Sequence, residues 1–174
     1  MSLRRISHRR SRGAGVGAAA YFLLTGIVFA TWASRVPAIK GGLDLGDGQF
    51  AIALLGLEAG AILGLQLGGV IVPRVGSRRA LTTSLVVFIC ALLGPAFAPS
   101  LVLVAASLFA FSAFNSVVDV AMNTQGLALQ RLLGRPVLSR LHAMHSLGAS
   151  SVQEWAPLRR AWVSSRRNTF SRVP

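Results

Sequence analysis

Charged residues, and acidic residues in particular, are scarce in this sequence of 174 residues. Aspartate and glutamate together number 5 against 18 lysines and arginines. Only 13% of the residues carry a charge, whereas about a quarter do so in a typical soluble domain. With 53% hydrophobic residues and a mean hydropathy of +0.60, the composition argues against a soluble protein. We therefore expect lipid to surround most of the chain.

Reactive and metal-binding residues are equally few. The single cysteine, Cys90, excludes a disulfide within the chain and a thiolate zinc cluster, and in its apolar stretch we expect a small buried side chain. His142 and His145 would share one helix face, but no third ligand accompanies them. The sequence contains neither a nucleophile paired with a base nor a Walker-type phosphate loop. We expect no metal, no cofactor and no enzymatic activity.

The basic excess has two interpretations. A net charge of +13 favours partners such as nucleic acid or an anionic membrane surface. In membrane proteins, however, lysine and arginine also collect in the cytoplasmic loops, where they determine orientation. Long uncharged runs separate the basic clusters here, so we attribute the charge to topology and expect no nucleic-acid partner.

Four apolar runs predict four transmembrane helices, because about 20 apolar residues cross a bilayer. The predicted spans cover residues 14–34, 49–72, 80–97 and 101–125. We interpret the first run as a retained span rather than a signal peptide, since it ends at the interfacial Trp32 and at Pro37, which should stop the helix. Asp47 is a candidate N-cap of the second helix, and the turn composition of "GPAFAPS" should divide the third from the fourth.

The distribution of arginines predicts the orientation. The arm 1–12, the loop containing Arg74, Arg78 and Arg79, and the segment after the fourth span all fall on one side of the membrane. That side should be the cytoplasm. We therefore expect a multi-pass protein of the plasma (inner) membrane with a cytoplasmic N-terminus, surrounded by the lipid bilayer.

Residues 148–174 break the pattern. The stretch "LSRLHAMHSLGAS" could open a fifth span, but the arginines that follow leave no run able to cross a membrane. The segment is either a solvated, disordered basic tail or a sign that the chain is truncated or frame-shifted. The transmembrane domain should therefore occupy residues 13–147, with a fifth helix that is at most incomplete.

Four glycines in the second predicted span recur at every fourth position: Gly56, Gly60, Gly64 and Gly68. Residues at this spacing lie on one face of a helix. Small residues let a neighbouring helix approach closely in lipid. The pattern predicts a helix-packing surface.

The stretch "GVIVPRVGSRRAL" resembles the signature G-x-L-x-D-R-x-G-R-K/R of the major facilitator superfamily (MFS), found in the cytoplasmic loop between the second and third helices. The matching positions are Gly69, Ile71, Arg74, Gly76, Arg78 and Arg79. Pro73 stands at the acidic position and Ser77 at the basic position after the second glycine. Together with "WASRVPAIK" and "DVAMNTQG", the loop resembles the bacterial inner-membrane YbjJ-type branch.

This resemblance implies the N-terminal part of a secondary transporter, an all-α integral membrane protein that forms a partial MFS-type bundle and moves a small solute. Such transporters pair two halves around a midplane site, so the chain should need its C-terminal half or an oligomeric partner and should not transport alone. Alternatives are a complete four-helix transporter that works as an oligomer, and a membrane scaffold or regulatory protein without transport activity. The loop arginines should brace a gate, or only fix the orientation.

Asp119 is the first candidate for the solute or ion pathway, because an ionisable group within a span is costly unless it faces protein or water. A helix would align it with Asn115 and Asn123. Its carboxylate could pair with Arg74 or Arg78 and brace the loop, handle a solute or a proton, or lie uninvolved at the interface.

Glu58 and Arg35 are the remaining candidates. Glu58 lies within the second span, where it could be a proton-coupling site or only a pore-facing or paired side chain. Arg35 follows the first span, where it could attract an anionic solute or extend to the membrane interface.

Overall fold

The computed structural model describes the backbone of Leu3–Phe170 and the side chains of residues 13–154, and within that backbone range it contains helices joined by short connections and no strand. The helices are α1 (Leu3–Gly42), α2 (Asp47–Val75), α3 (Ser77–Ala91), α4 (Leu93–Phe97), α5 (Leu101–Leu133) and α6 (Leu138–Phe170). Four segments are long and apolar enough to cross a membrane: Gly13–Gly42, Asp47–Val75, Ser77–Phe97 and Leu101–Leu133. The predicted all-α, four-span membrane protein is confirmed.

The first two helices are longer than predicted. Pro37 lies inside α1 and Pro73 inside α2, and neither ends its helix. A transmembrane helix tolerates proline because neighbouring groups satisfy the backbone carbonyl that it leaves free. Asp47 is the first residue of α2 rather than its N-cap, which is Gly46, and it forms an ion pair with Lys40 of α1 across the connecting turn.

The break between the third and fourth spans is shorter than predicted. Gly94 and Pro95 belong to the short helix α4, so only Leu92 and residues 98–100 lie outside helices between α3 and α5. The side chain of Ser100 accepts a hydrogen bond from the Leu103 amide at 3.4 Å and caps α5. α5 continues to Leu133, eight residues beyond the predicted end at 125, and stops at Gly134, whose φ of 60° is left-handed.

α5 is the centre of the bundle. It runs antiparallel to α1, since Trp32 lies 5.9 Å from Phe111 in ring-centroid distance while Thr25, nearer the start of α1, reaches Met122. It runs parallel to α2, because successive positions of α2 meet successive positions of α5. Buried aromatic and aliphatic side chains fill the space between these helices; the largest are Phe22, Phe88, Phe111, Leu108, Val104 and Val118.

α6 packs against α1 and includes residues assigned above to the tail. Gly148 lies in α6, where a Cβ atom would stand 2.2 Å from the carbonyl oxygen of Leu23, so the two backbones touch. Residues 148–154 are therefore helical, with Gly148 buried against α1 and Ser150, Ser151, Gln153 and Glu154 exposed. The side chains of residues 1–12 and 155–174 lie outside the described residues, and the predictions for the arm and the rest of the tail stay predictions.

Cys90 corrects another expectation. Its side chain is exposed on the outer face of α3 rather than buried. Val86 and Ile89 are exposed beside it. An outward position costs little in a span because lipid is as apolar as the protein core.

Candidate functional site

The four glycines of α2 lie directly against α5. A Cβ atom at Gly60 would stand 2.1 Å from the carbonyl oxygen of Phe109, and one at Gly64 would stand 2.2 Å from that of Ala113. Gly56 meets Ala105 in the same way, and Gly68 meets the side chain of Val120. The two helices are therefore in backbone contact over about three turns.

Glu58 lies on the other side of α2. It is two residues from Gly56 and Gly60, roughly 200° around the helix, and its side chain is exposed. Four apolar side chains of α2 near it are more than half exposed: Ile52, Leu55, Ile62 and Leu65. We call this surface the Glu58 face. The structure thus separates Glu58 from Asp119.

The polar stripe predicted on α5 divides into two rows. Ser112, Ser116 and Gly126 are buried against the neighbouring helices. Asn115, Asp119 and Asn123 are half-buried and follow one another at steps of four residues, so they form one line. The Asn123 amide donates to the backbone carbonyl of Asp119 at 2.9 Å, which fixes this side chain beside the carboxylate.

Asp119 is close to the middle of α5 rather than near its end. The 14 residues from Asp119 to Leu133 correspond to about 21 Å of helix. In the part of the chain whose side chains are described, the sole ion pair joins Lys40 and Asp47, so Asp119 is paired with neither Arg74 nor Arg78 in this conformation. The charges that act on Asp119 are those of His145 and, more weakly, His142, both on α6.

Thr25 of α1 connects these histidines to the bundle. Its hydroxyl lies 2.9 Å from the carbonyl oxygen of Phe22, 3.1 Å from Nδ1 of His145 and 3.7 Å from Sδ of Met122. The His142 ring meets Phe22 edge-on at 5.1 Å between centroids. We call Thr25, His142 and His145 the polar cluster; it lies where α1, α5 and α6 meet.

Sequence reasoning did not identify the polar cluster. Thr25 is a single hydroxyl in an apolar run, and the two histidines stand at the start of a segment whose arginines predicted a tail. The usable signal was the spacing of the histidines, which places both on one face of a helix. Which helix would receive that face could not be read from the spacing.

The MFS-like signature lies mostly in helices, because the loop between α2 and α3 is a single residue. Gly76 alone separates α2 from α3, with a φ of 86° that favours glycine, and its amide donates to the Val72 carbonyl at 3.0 Å. Arg74 lies in the last turn of α2, while Arg78 and Arg79 lie in the first turn of α3. All three arginines are exposed.

A cavity of about 550 Å³ adjoins this turn. Arg78 lines it together with Tyr21 of α1 and Gln125 of α5. Gln125 also donates to the hydroxyl of Ser77 at 3.0 Å, which ties α3 to α5 at this level. Gly69 does not take part: it is exposed, and a Cβ atom there would have nothing within 4 Å.

Arg35 lies near the other end of α1. Its side chain is exposed, and ten residues, or about 15 Å of helix, separate it from Thr25. Within residues 13–154, the structure brings together no group of three metal-ligating side chains. Of the sequence-predicted residues, only Asn115, Asp119 and Asn123 therefore adjoin the polar cluster.

Comparison with known proteins found relatives among transporters. The chain is 37% identical over 133 residues to the uncharacterized transporter y4wD of Sinorhizobium fredii, which covers 76% of this chain and 35% of that protein. It is 33% identical over 127 residues to the membrane protein MosC of Rhizobium meliloti, covering 73% and 31%. An uncharacterized MFS-type transporter of Yersinia pestis is 31% identical over 133 residues, covering 73% and 33%.

The chain thus spans about a third of the length of each of these curated relatives. No protein-family model matches it. No solved structure matches it either.

Proposed function

Since about three quarters of this chain is similar to transporters, one of them of the MFS type, we propose that it carries a small solute across the membrane as part of a secondary transporter. The observation that carries the proposal is Asp119, a carboxylate at the centre of a candidate span that faces the polar cluster instead of the outer surface.

The energetic argument concerns the cost of charge in lipid. A carboxylate at the middle of a transmembrane helix is retained where it meets protein partners or water, and such positions are commonly ion or solute pathways. Asn115 and Asn123, one turn on either side of Asp119, add amide groups that can donate and accept hydrogen bonds. The line of three side chains is therefore suited to bind a polar solute or an ion.

The Glu58 face supports a requirement for further helices. Four apolar side chains and one carboxylate are exposed there, and the carboxylate would be costly against lipid. We propose that this face packs against additional transmembrane helices, either from another polypeptide that completes the transporter or from a second copy.

The orientation is also a proposal. Arg74, Arg78 and Arg79 adjoin the α2–α3 turn, and Arg131 and Arg135 adjoin the α5–α6 turn, which lies at the same end of the parallel helices α2 and α5. The positive-inside rule puts that end in the cytoplasm of the inner membrane. In a Cys90→Ser background, the thiol introduced by Arg78→Cys should react with an impermeant thiol reagent only in inside-out vesicles. Labelling from the outside of intact cells would reverse the orientation.

A binding screen tests the function. Thermal unfolding of the purified chain in lipid is followed with a panel of small polar solutes, because a ligand that binds the native state raises the unfolding temperature. We expect at least one solute to raise the unfolding temperature of the unaltered chain and of the Asp44→Asn control. The same solute should not raise the unfolding temperature of Asp119→Asn. Uptake of that solute into vesicles is then measured. A solute that stabilises the Asp119→Asn variant equally would place the binding site elsewhere.

A further inference from the structure

The Thr25 hydroxyl makes two short polar contacts but has only one proton. The residue is fully buried, and its oxygen lies within hydrogen-bond distance of the Phe22 carbonyl oxygen and of Nδ1 of His145, at 2.9 and 3.1 Å. A threonine hydroxyl has one proton to donate and two lone pairs with which to accept. The carbonyl oxygen can only accept, so the 2.9 Å contact is a hydrogen bond only if Thr25 donates to it.

This leaves one arrangement in which both short contacts are hydrogen bonds. Thr25 donates to Phe22, and His145 donates to Thr25 through Nδ1–H. If Thr25 donated to the ring instead, two oxygen atoms would face each other at 2.9 Å without a proton between them. That arrangement keeps one hydrogen bond where the first keeps two.

We propose that His145 is a proton-binding residue inside the helical bundle, held by Thr25 in the Nδ1–H form so that Nε2 is its proton acceptor. The neutral imidazole has one N–H and one free lone pair, and the hydrogen bond made by one nitrogen determines the role of the other. When a proton adds to Nε2, the ring becomes an imidazolium with one positive charge, and the Nδ1–H bond to Thr25 is unchanged.

The groups around His145 supply the counter-charge. α6 packs against α1 and α5, and on α5 the charged residue at this level is Asp119, which interacts electrostatically with His145. α1 presents Thr25, with Tyr21 one turn away as its nearest titratable residue, and α6 itself contributes His142. Asp119 is thus the acidic partner of a protonated His145 among the described side chains.

This inference deepens the proposed function and rests on it in one respect: in a working transporter, proton binding at His145 would couple to solute movement past Asp119. The assignment of the ring nitrogens itself does not depend on transport. The decisive measurement is therefore spectroscopic and uses the whole chain.

The chain is prepared with ¹⁵N-labelled histidine in lipid nanodiscs, and the imidazole nitrogens are observed by NMR near pH 8.5. His145 is assigned by the loss of its signals in His145→Gln. We expect Nδ1 to carry the proton and Nε2 to be bare. A wild-type His145 with its proton on Nε2 would overturn the proposal.

Two substitutions at the same position provide a matched pair. Thr25→Ser keeps the hydroxyl, so the Nδ1–H form should persist. Thr25→Val has a similar shape but no hydroxyl, so the ring should lose this preference, while the signals of His142 stay unchanged. If Thr25→Val leaves the His145 signals as in the wild type, Thr25 does not determine the ring form and the proposal fails.

A pH series tests proton binding. If His145 binds a proton, both nitrogens of its ring should be protonated once the pH is low enough. We expect the ratio of protonated to neutral His145 at a fixed pH to fall at least about threefold in Asp119→Asn and not in Asp44→Asn. A ring that stays neutral throughout the pH series, or an unchanged ratio in Asp119→Asn, would refute the proton-binding role. Loss of solute binding with intact His145 titration would instead count against the transport proposal alone.

Discussion

Two interfaces of this bundle bring helix backbones into contact, and they do so by different means. Between α2 and α5 the glycines of α2 make the backbone contacts, and Gly56, Gly60 and Gly64 each lie under a carbonyl group of α5. Between α1 and α6 each helix contributes one glycine: Gly26 lies against the carbonyl of His145, and Gly148 lies against that of Leu23. The first set of glycine contacts extends from Gly56 to Gly64, while the second set lies at residues 23–27 of α1 and 145–149 of α6.

The difference indicates which part of the molecule is the more rigid. A row of glycines lets two helices interlock over several turns, and relative movement would have to break all of these contacts at once. The α1–α6 crossing holds fewer backbone contacts and has the polar cluster beside it. We therefore expect α2 and α5 to move as one body and the α1–α6 crossing to be the more adjustable interface.

The largest effect should come from adding a methyl group to the glycine row. In Gly60→Ala the new Cβ would stand 2.1 Å from the Phe109 carbonyl oxygen, so α2 and α5 must separate. We expect a loss of about 1–3 kcal/mol in the free energy of unfolding, the usual cost of overpacking. Unfolding is measured in mixed micelles. The matched control is Gly69→Ala on the same helix, where the methyl group meets nothing within 4 Å.

The control should not lower the free energy of unfolding. Gly69→Ala should be neutral or stabilise the chain by up to about 1 kcal/mol, because alanine is the better helix former. Equal stabilities of Gly60→Ala and Gly69→Ala would contradict the interlocked α2–α5 unit.

The corresponding change at the other interface should have a smaller effect. Gly148→Ala places a Cβ 2.2 Å from the Leu23 carbonyl oxygen, nearly the same clash as at Gly60. Because the glycine contacts between α1 and α6 lie at residues 23–27 and 145–149, we expect a shift of the helix to relieve it at about 1 kcal/mol. The same unfolding measurement applies. A cost greater than that of Gly60→Ala would reverse the assignment of the adjustable interface.

The smallest effect on stability is expected at Glu58. It lies on the face of α2 that is turned away from α5, so Glu58→Gln should change the free energy of unfolding of the isolated chain by less than about 0.5 kcal/mol. Its consequences should instead be seen in the complete transporter. If Glu58→Gln abolishes solute uptake while Asp119→Asn retains it, Glu58 and not Asp119 is the exchange carboxylate, as the oligomeric four-helix alternative requires.

Much of the fold could be predicted from local sequence. Apolar runs predicted the number of spans, since bilayer thickness requires about 20 consecutive apolar residues for each crossing. The glycine spacing predicted one face of α2 that contacts a neighbour. The helix ends were predicted less well: Pro37, Pro73 and Pro95 all lie inside helices, because packed transmembrane helices tolerate residues that end helices in water.

The candidate site, like the fold, could be predicted only in part. Asp119, Asn115 and Asn123 could be found because an acid and two amides at helical spacing stand out in an apolar span. The partners of Asp119 could not be found from the sequence. Arg74 and Arg78 were considered as partners, yet His145 and His142 of α6 are the groups whose charges act on Asp119.

The sequence by itself determined that the chain enters a membrane, how many times it can cross, and which faces of α2 and α5 are distinctive. These properties depend on hydropathy and on the 3.6-residue period, both of which are local. Only the tertiary structure decided that Thr25 meets His145, 120 residues further along the chain. That contact depends on how α1 and α6 are rotated and shifted against each other, and the close approach at Gly26 and Gly148 sets both.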